Sequence, residues 1–179
     1  MLPAMLLLTA SACATTLARM DLDQLAAAAH AVVRVECLDS ESRVERGQMW
    51  TVTRFELRES FKGYAPGILT VRLPGGSAGG LRVTIDGVPR FAPGEETILF
   101  LERTQRGEFT VTGWVQGTFR VRRDTAGGGT VVTQDSAGFA IFDPESRRFM
   151  AMGARRMPLD VFRARLAAAV ERAARGARL

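Results

Sequence analysis

Few residues in this 179-residue chain have the type and spacing to do chemistry. His30 is the single histidine, so it cannot assemble a histidine metal site, and no serine and carboxylate stand around it in the spacing of a known triad. It reads as a surface residue at a helix end. Cys37 closes the apolar stretch AVVRVEC, where a small buried hydrophobe is expected; a reactive thiol needs an accessible electropositive setting. Paired acids can divide acid and base roles, which makes Asp86 and Glu95 with Glu96 the candidates for a carboxylate-based hydrolase. Glu95-Glu96, however, follows Pro93-Gly94 at the start of a strand, where solvated turn charges are expected. No catalytic, cofactor-binding or metal-binding residue is assigned, and the chain is read as non-enzymatic.

Three other groups invite a binding reading. The glycine-rich residues 74–80 could cradle phosphate only before a helix N-terminus, with a lysine in the nucleotide-binding version. Here Leu81, Val83 and Ile85 begin an alternating strand, so a flexible hairpin loop is expected. Arg120, Arg122 and Arg123 suggest a nucleic-acid surface on a barrel, but the export expected below argues against that partner. Trp50 and Trp114 could stack on a sugar or a partner, although aromatic residues within strands usually belong to the core.

The chain opens with MLPAMLLLTA, followed by the small residues Ser11-Ala12-Cys13-Ala14, the layout of a secretory signal. The apolar part is too short to span a bilayer as a mature helix. Cleavage after Ala14 leaves Thr15 as the new N-terminus and Cys37 as the one cysteine, with no intramolecular disulfide. The alternative is a lipoprotein box, Ala10-Ser11-Ala12-Cys13, with lipid on Cys13 and the protein tethered to the envelope. A secreted or periplasmic protein is expected, with no membrane association unless Cys13 is lipidated.

A content of 46% hydrophobic and 24% charged residues suits one globular domain, residues 15–179, after a signal segment at 1–14. The net charge of +5 resides in residues 151–179, which hold seven Arg against Asp160 and Glu171. That tail reads as an amphipathic helix with a solvated charged face. With 23 Arg, one Lys and no Asn, arginine abundance reflects codon usage rather than recognition.

Most of these residues fall on stretches that read as strands. Residues 91–122 read as three strands forming a meander, with reversals at Gln105-Arg106-Gly107 and at Gly117. The run Ile98-Leu99-Phe100-Leu101 suits a central strand covered on both sides. Asp21 and Gln24 predict a capped short helix before a first strand with Val33, Val35 and Cys37 inward. Residues 39–48 are polar and predict a loop. Residues 49–61 predict a long strand whose buried face changes between Trp50/Val52 and Phe55/Leu57, a bulge or bend suited to barrel closure. Leu69, Val71 and Leu73 share a face of the next strand, residues 125–129 predict a hairpin turn, and a further hairpin joins 139–142 to 147–150 through Pro144. Pro158 opens a helix over 158–176 with Leu159, Phe162, Leu166, Ala169 and Val170 on its buried stripe.

The segments AHAVVRVECL, WTVTRFELRESFKG, FAPGEETILFLER and GWVQGTFRV, spanning roughly residues 30–122, resemble uncharacterised exported bacterial proteins that are similar to netrin-like modules, the class of the tissue inhibitors of metalloproteinases. The resemblance implies a mainly β fold: an antiparallel OB-like Greek-key barrel with a short N-terminal helix and an amphipathic C-terminal helix. The inhibitors chelate a protease zinc through a cysteine-x-cysteine start, which this chain lacks. The expected function is an exported, non-catalytic binding module for another protein, with a secreted protease as one partner class. A structural role as an envelope lipoprotein is the alternative, and a carboxylate-based hydrolase comes after it.

Overall fold

The computed structural model describes residues 18–125, 127–135, 140–143, 146–151 and 156–177. Helix α1 (Leu22–Ala28) starts where the sequence predicts. The Asp21 carboxylate accepts from the Gln24 amide and the Gln24 side chain accepts from the Asp21 amide, each at 2.8 Å, so two otherwise orphaned donors are satisfied.

Strands β1 (Ala31–Glu45) and β2 (Gln48–Lys62) form a long hairpin that turns on Arg46 and Gly47, both left-handed with φ of 50 and 79. Residues 39–48, expected as a loop, are therefore its outer half and turn, paired to Glu45↔Gln48. Backbone ladder bonds do not require an apolar face, and the turn needs left-handed residues, for which Gly47 is suited.

The change of buried face expected in β2 does not occur. Met49, Thr51, Thr53 and Phe55 are all buried on one parity, leaving Trp50 and Val52 half-buried on the other. Threonines carry the inward face because their hydroxyls are satisfied. Thr51 donates to the Gly75 carbonyl at 2.7 Å, and Thr53 shares a 2.9 Å hydrogen bond with Ser40. The curl itself is present: Arg58 and Phe61 on β2 and Leu38 on β1 fall out of the pairing register.

The chain continues through β3 (Ile68–Pro74), a short hairpin of β4 (Gly76–Ala78) and β5 (Leu81–Val83), β6 (Glu96–Arg103), β7 (Phe109–Val111), a 3-10 turn at Trp114–Gly117, β8 (Thr118–Arg123), β9 (Thr130–Gln134), the β10 (Ala140–Asp143) and β11 (Arg148–Ala151) hairpin, β12 (Arg156–Pro158) and helix α2 (Leu159–Gly176). The Pro144 turn lies outside the described residues. Leu81 and Val83, expected on a half-buried strand through Ile85, are exposed on a hairpin of three residues a side, and residues 76–78 are a strand rather than loop.

The large sheet has the order β1-β2-β3-β7-β6-β8-β9-β12, and β1 also pairs with β6, so β1, β2, β3, β7 and β6 make a partly closed ring. The sheet is mixed rather than wholly antiparallel, because β3 meets β7 in parallel at Val71↔Phe109. Leu101 of β6 pairs with Ala31 on one edge and Val111 on the other, so β7 and β8 both lie along the edge opposite β1. They are two halves of one interrupted return strand. The expected three-strand meander is thus a hairpin, and Gly117 does not reverse the chain. Gly113 and Trp114, left-handed at φ of 59 and 53, open a 3-10 turn that absorbs the extra residues, while the Thr112 amide still donates to the Phe100 carbonyl at 2.9 Å.

β1 and β6 are covered on both sides, as the Ile98–Leu101 run predicts. Val33, Val35, Leu99 and Leu101 join Phe55, Leu69, Val71 and Leu73 in one core cluster. Val32, Ile98 and Phe100 join Leu25 and the α2 residues Phe162, Leu166 and Ala169 in a second, where the rings of Phe119 and Phe162 lie 4.8 Å apart.

Candidate functional site

The residues singled out for chemistry do not converge. Residues 1–14 and the alternatives Cys13 and Thr15 lie outside the described residues. His30 is exposed just beyond α1. Cys37 is buried in the first core cluster, and its thiol is pushed up to about 11, chiefly by burial and then by the nearby carboxylates of Glu95 and Asp39. Glu95 accepts from Arg120 at 2.7 Å and from the Ala92 amide at 2.9 Å, whereas Glu96 is engaged by Arg34. The adjacent acids are thus held by different guanidinium groups, and Asp86 stands exposed in the connection between β5 and β6.

Arg120 also pairs with Asp135 at 2.6 Å and lies over the Phe91 ring, while Arg122 and Arg123 are exposed; together they form no common stripe of unpaired charge. The glycine-rich residues lead into the β4–β5 hairpin and no helix N-terminus follows them. Among the described residues no group of three His, Cys, Asp or Glu could hold a metal ion, and no helix is long and apolar enough to cross a membrane.

The two tryptophans differ. Trp114 packs against the first core cluster, whereas Trp50 projects from the opposite face of β2 to the buried Thr51 and lines a cleft of about 840 Å³. One wall of this cleft is the β1–β2 turn with Glu45, Arg46 and Gln48; the other is the β6–β7 connection with Thr104, Gln105, Arg106 and Glu108; Trp50 and Arg72 lie between them. Val52 is the register partner of Arg72, and Trp50 that of Pro74, so Trp50 and Arg72 are diagonal neighbours on one sheet face.

Arg72 organises the cleft. Its side chain is only 9% exposed, and it donates to Glu45 at 2.6 Å and to Glu108 at 3.3 Å. Its guanidinium carbon lies 4.3 Å from the centroid of the Trp50 ring system. The hydrogen bond from Arg72 holds the Glu45 carboxyl below the usual carboxylate range, against the opposite push of partial burial and with help from Arg43. One arginine therefore ties together the ends of two hairpins and the face of a third strand.

A second depression of about 500 Å³ adjoins the cleft and shares Arg72 and Glu108 with it. Its lining includes Val52, Tyr64, Pro66 and Ile68, and both Tyr64 (80% exposed) and Ile68 (59%) offer apolar surface. The combined surface runs from hydrogen-bonding groups around an indole to an apolar shelf. It offers stacking, amide and guanidinium donors, and carboxylate acceptors.

Sequence reasoning missed Arg72, Glu45 and Glu108. Arg72 reads as an ordinary outward residue between Val71 and Leu73, and Glu45 falls in the stretch expected to be loop. Trp50 was read on the inward parity of its strand, so nothing in the sequence paired it with Arg72. The chain matches no protein-family model and no curated protein.

Proposed function

We propose that this protein is an exported, non-catalytic binding module whose ring of strands is an OB-like Greek-key barrel, and that it engages another protein through the cleft beside Trp50. The observation that carries this reading is the half-buried indole of Trp50, turned away from the core and braced by Arg72 in a cleft whose volume falls within the usual range for ligand sites. The ring order β1-β2-β3-β7-β6, closing on β1 with a single parallel pair, supports the OB-like assignment. In such barrels the face of the second and third strands and the loops joining strands one to two and four to five carry the ligand. On this assignment the β1–β2 turn and the β6–β7 connection are those two loops, and both line the cleft.

The cleft lining sets Arg46, Arg72 and Arg106 against Glu45 and Glu108, a mixed charge that suits a polypeptide better than a polyphosphate chain. The adjoining Tyr64 and Ile68 shelf supplies the apolar area that protein partners bury. Export is supported by the apolar residues 1–10 and the small residues after them. The resemblance to netrin-like modules makes a secreted protease the first partner class to test.

The test is capture of partners from the extracellular and periplasmic fractions of the protein's own host, comparing wild type with Trp50→Ala, alongside assays of the proteases in those fractions. The reading expects a partner held by the wild type and released by a Trp50→Ala protein with an unchanged circular dichroism spectrum. Equal capture by both proteins, or no capture with protease activity unaffected, contradicts it.

A further inference from the structure

A separate cleft of about 390 Å³ lies between the outer half of the β1–β2 hairpin and the β4–β5 hairpin. Its composition is unlike that of the cleft beside Trp50. Ser40, Ser42, Thr51, Ser77 and Thr84 supply hydroxyls, Arg82 and Arg90 supply guanidinium groups, and its lining contains no carboxylate.

Among the described residues, the two arginines are satisfied only by neutral oxygens. Arg90 donates through Nη1 to Thr51 Oγ1 at 2.7 Å and through Nη2 to the Val83 carbonyl at 3.4 Å, and Arg82 donates through Nε to Ser77 Oγ at 3.2 Å. Arg72 and Arg120, by contrast, each hold two carboxylates. Arg90 is exposed as a residue, but partial burial of its guanidinium disfavours the charged form, and among the described residues its bonds run to uncharged oxygens.

Glycine backbone packs closely against these side chains. A Cβ on Gly75 would meet Arg90 Nη2 at 2.7 Å, and one on Gly76 would meet Ser42 Oγ at 2.3 Å and Thr51 Oγ1 at 2.5 Å. Both glycines also have positive φ, 83 and 140, so the close approach and the chain path require them. The Thr51 hydroxyl donates to the Gly75 carbonyl, so its oxygen accepts from Arg90 and, at 2.9 Å, from Ser42. Ser77 oxygen accepts from Arg82, which leaves its own proton to donate. The cleft is thus rich in donors, carries two positive charges and lacks the negative charge that would complete it.

We propose that this cleft binds a tetrahedral oxyanion, a phosphate or sulfate group, between Arg82 and Arg90. Guanidinium forks match such oxygens in pairs, and the hydroxyls of Ser77 and Thr84 complete the donor set. The site is separate from Trp50 and stands or falls independently of the partner-binding cleft.

The full chain is titrated with inorganic phosphate and inorganic sulfate at constant ionic strength, with chloride as the reference, followed by calorimetry and by the amide resonances of Gly75 and Gly76. The expected result is saturable one-to-one binding that moves those resonances, is unaffected by Trp50→Ala, and weakens about tenfold in Arg82→Gln, the loss of roughly one charge-assisted contact. Arg82 is exposed and does not touch Thr51, so this variant keeps the fold. Binding of methyl phosphate as tight as that of phosphate assigns the site to an esterified group, and preference for the inorganic ion assigns it to the free anion. Shifts no larger than those in chloride, or phosphate affinity unchanged by Arg82→Gln, overturn the proposal.

Discussion

Arg72 lies over the indole of Trp50, 4.3 Å from guanidinium carbon to ring centroid, and is held there by Glu45 and Glu108 from two different hairpins. Removing the arginine strips Glu108 of that partner and leaves Glu45 to Arg43, beside an uncovered ring. Arg72→Ala is expected to lower the denaturation midpoint, losing roughly 1 kcal/mol from the cation–π contact together with the packing of its stem. Arg72→Lys keeps the charge but not the fork that reaches both acids, so it is expected to recover only part. Urea unfolding of the three proteins, read by circular dichroism, checks the order.

The same pair has a pH signature. The Glu45 carboxyl is depressed below its ordinary 4.5, chiefly by the hydrogen bond from Arg72. A depressed folded value means stabilisation that is present above the ordinary value and disappears as pH falls through the lower folded one. In a Trp114→Phe background, Trp50 emission is therefore expected to stay constant from neutral pH to about 4.5 and to change only below it. Glu45→Gln is expected to remove that transition. A transition unchanged by Glu45→Gln would place the titrating group elsewhere.

Cys37 is a free, buried cysteine with its thiol raised from an ordinary 9.0 to about 11, mainly by burial. Thiol reagents at neutral pH are expected to label it only after unfolding. Because the unfolded chain ionises first, stability falls as pH rises between those two values. Cys37→Ala is expected to flatten that part of the alkaline unfolding profile, measured by thermal denaturation as a function of pH.

Lys62, the chain's one lysine, donates from Nζ to the carbonyls of Ala26 and Ala29 at 2.6 Å each. These are the unsatisfied acceptors at the end of α1, which has no basic residue in its own last turn. Lys62→Met is expected to cost roughly 2 kcal/mol, the scale of charge-assisted hydrogen bonds lost from a partly buried site. A change below a few tenths of a kcal/mol in chemical denaturation would contradict this capping role.

The parts of the fold that the sequence revealed are those encoded locally. Asp21 and Gln24 mark the start of α1, Phe162, Leu166 and Ala169 trace the buried stripe of α2, and Leu69, Val71 and Leu73 mark the inner face of β3. The doubly covered Ile98–Leu101 run likewise needs only its own composition to be read. Hidden were features set by partners distant in sequence. Thr51 and Thr53 look outward until Gly75 and Ser40 are brought to their hydroxyls. The placement of β7 and β8 on one edge of β6 depends on β1 occupying the other. The site was hidden for the same reason: Trp50 and Arg72 meet only through the register of β2 against β3, and Glu108 arrives from beyond both.

Whether the cleft beside Trp50 receives a protein partner is decided by site-specific photo-crosslinking in the protein's own host. A photoreactive residue is placed at Gln105 on the cleft rim or, in a parallel protein, at Ala167 on the solvent face of α2. One discrete crosslinked protein is expected from position 105, none from 167, and its loss when Trp50→Ala is added. Equal crosslinking from both positions, or none from 105, would contradict it.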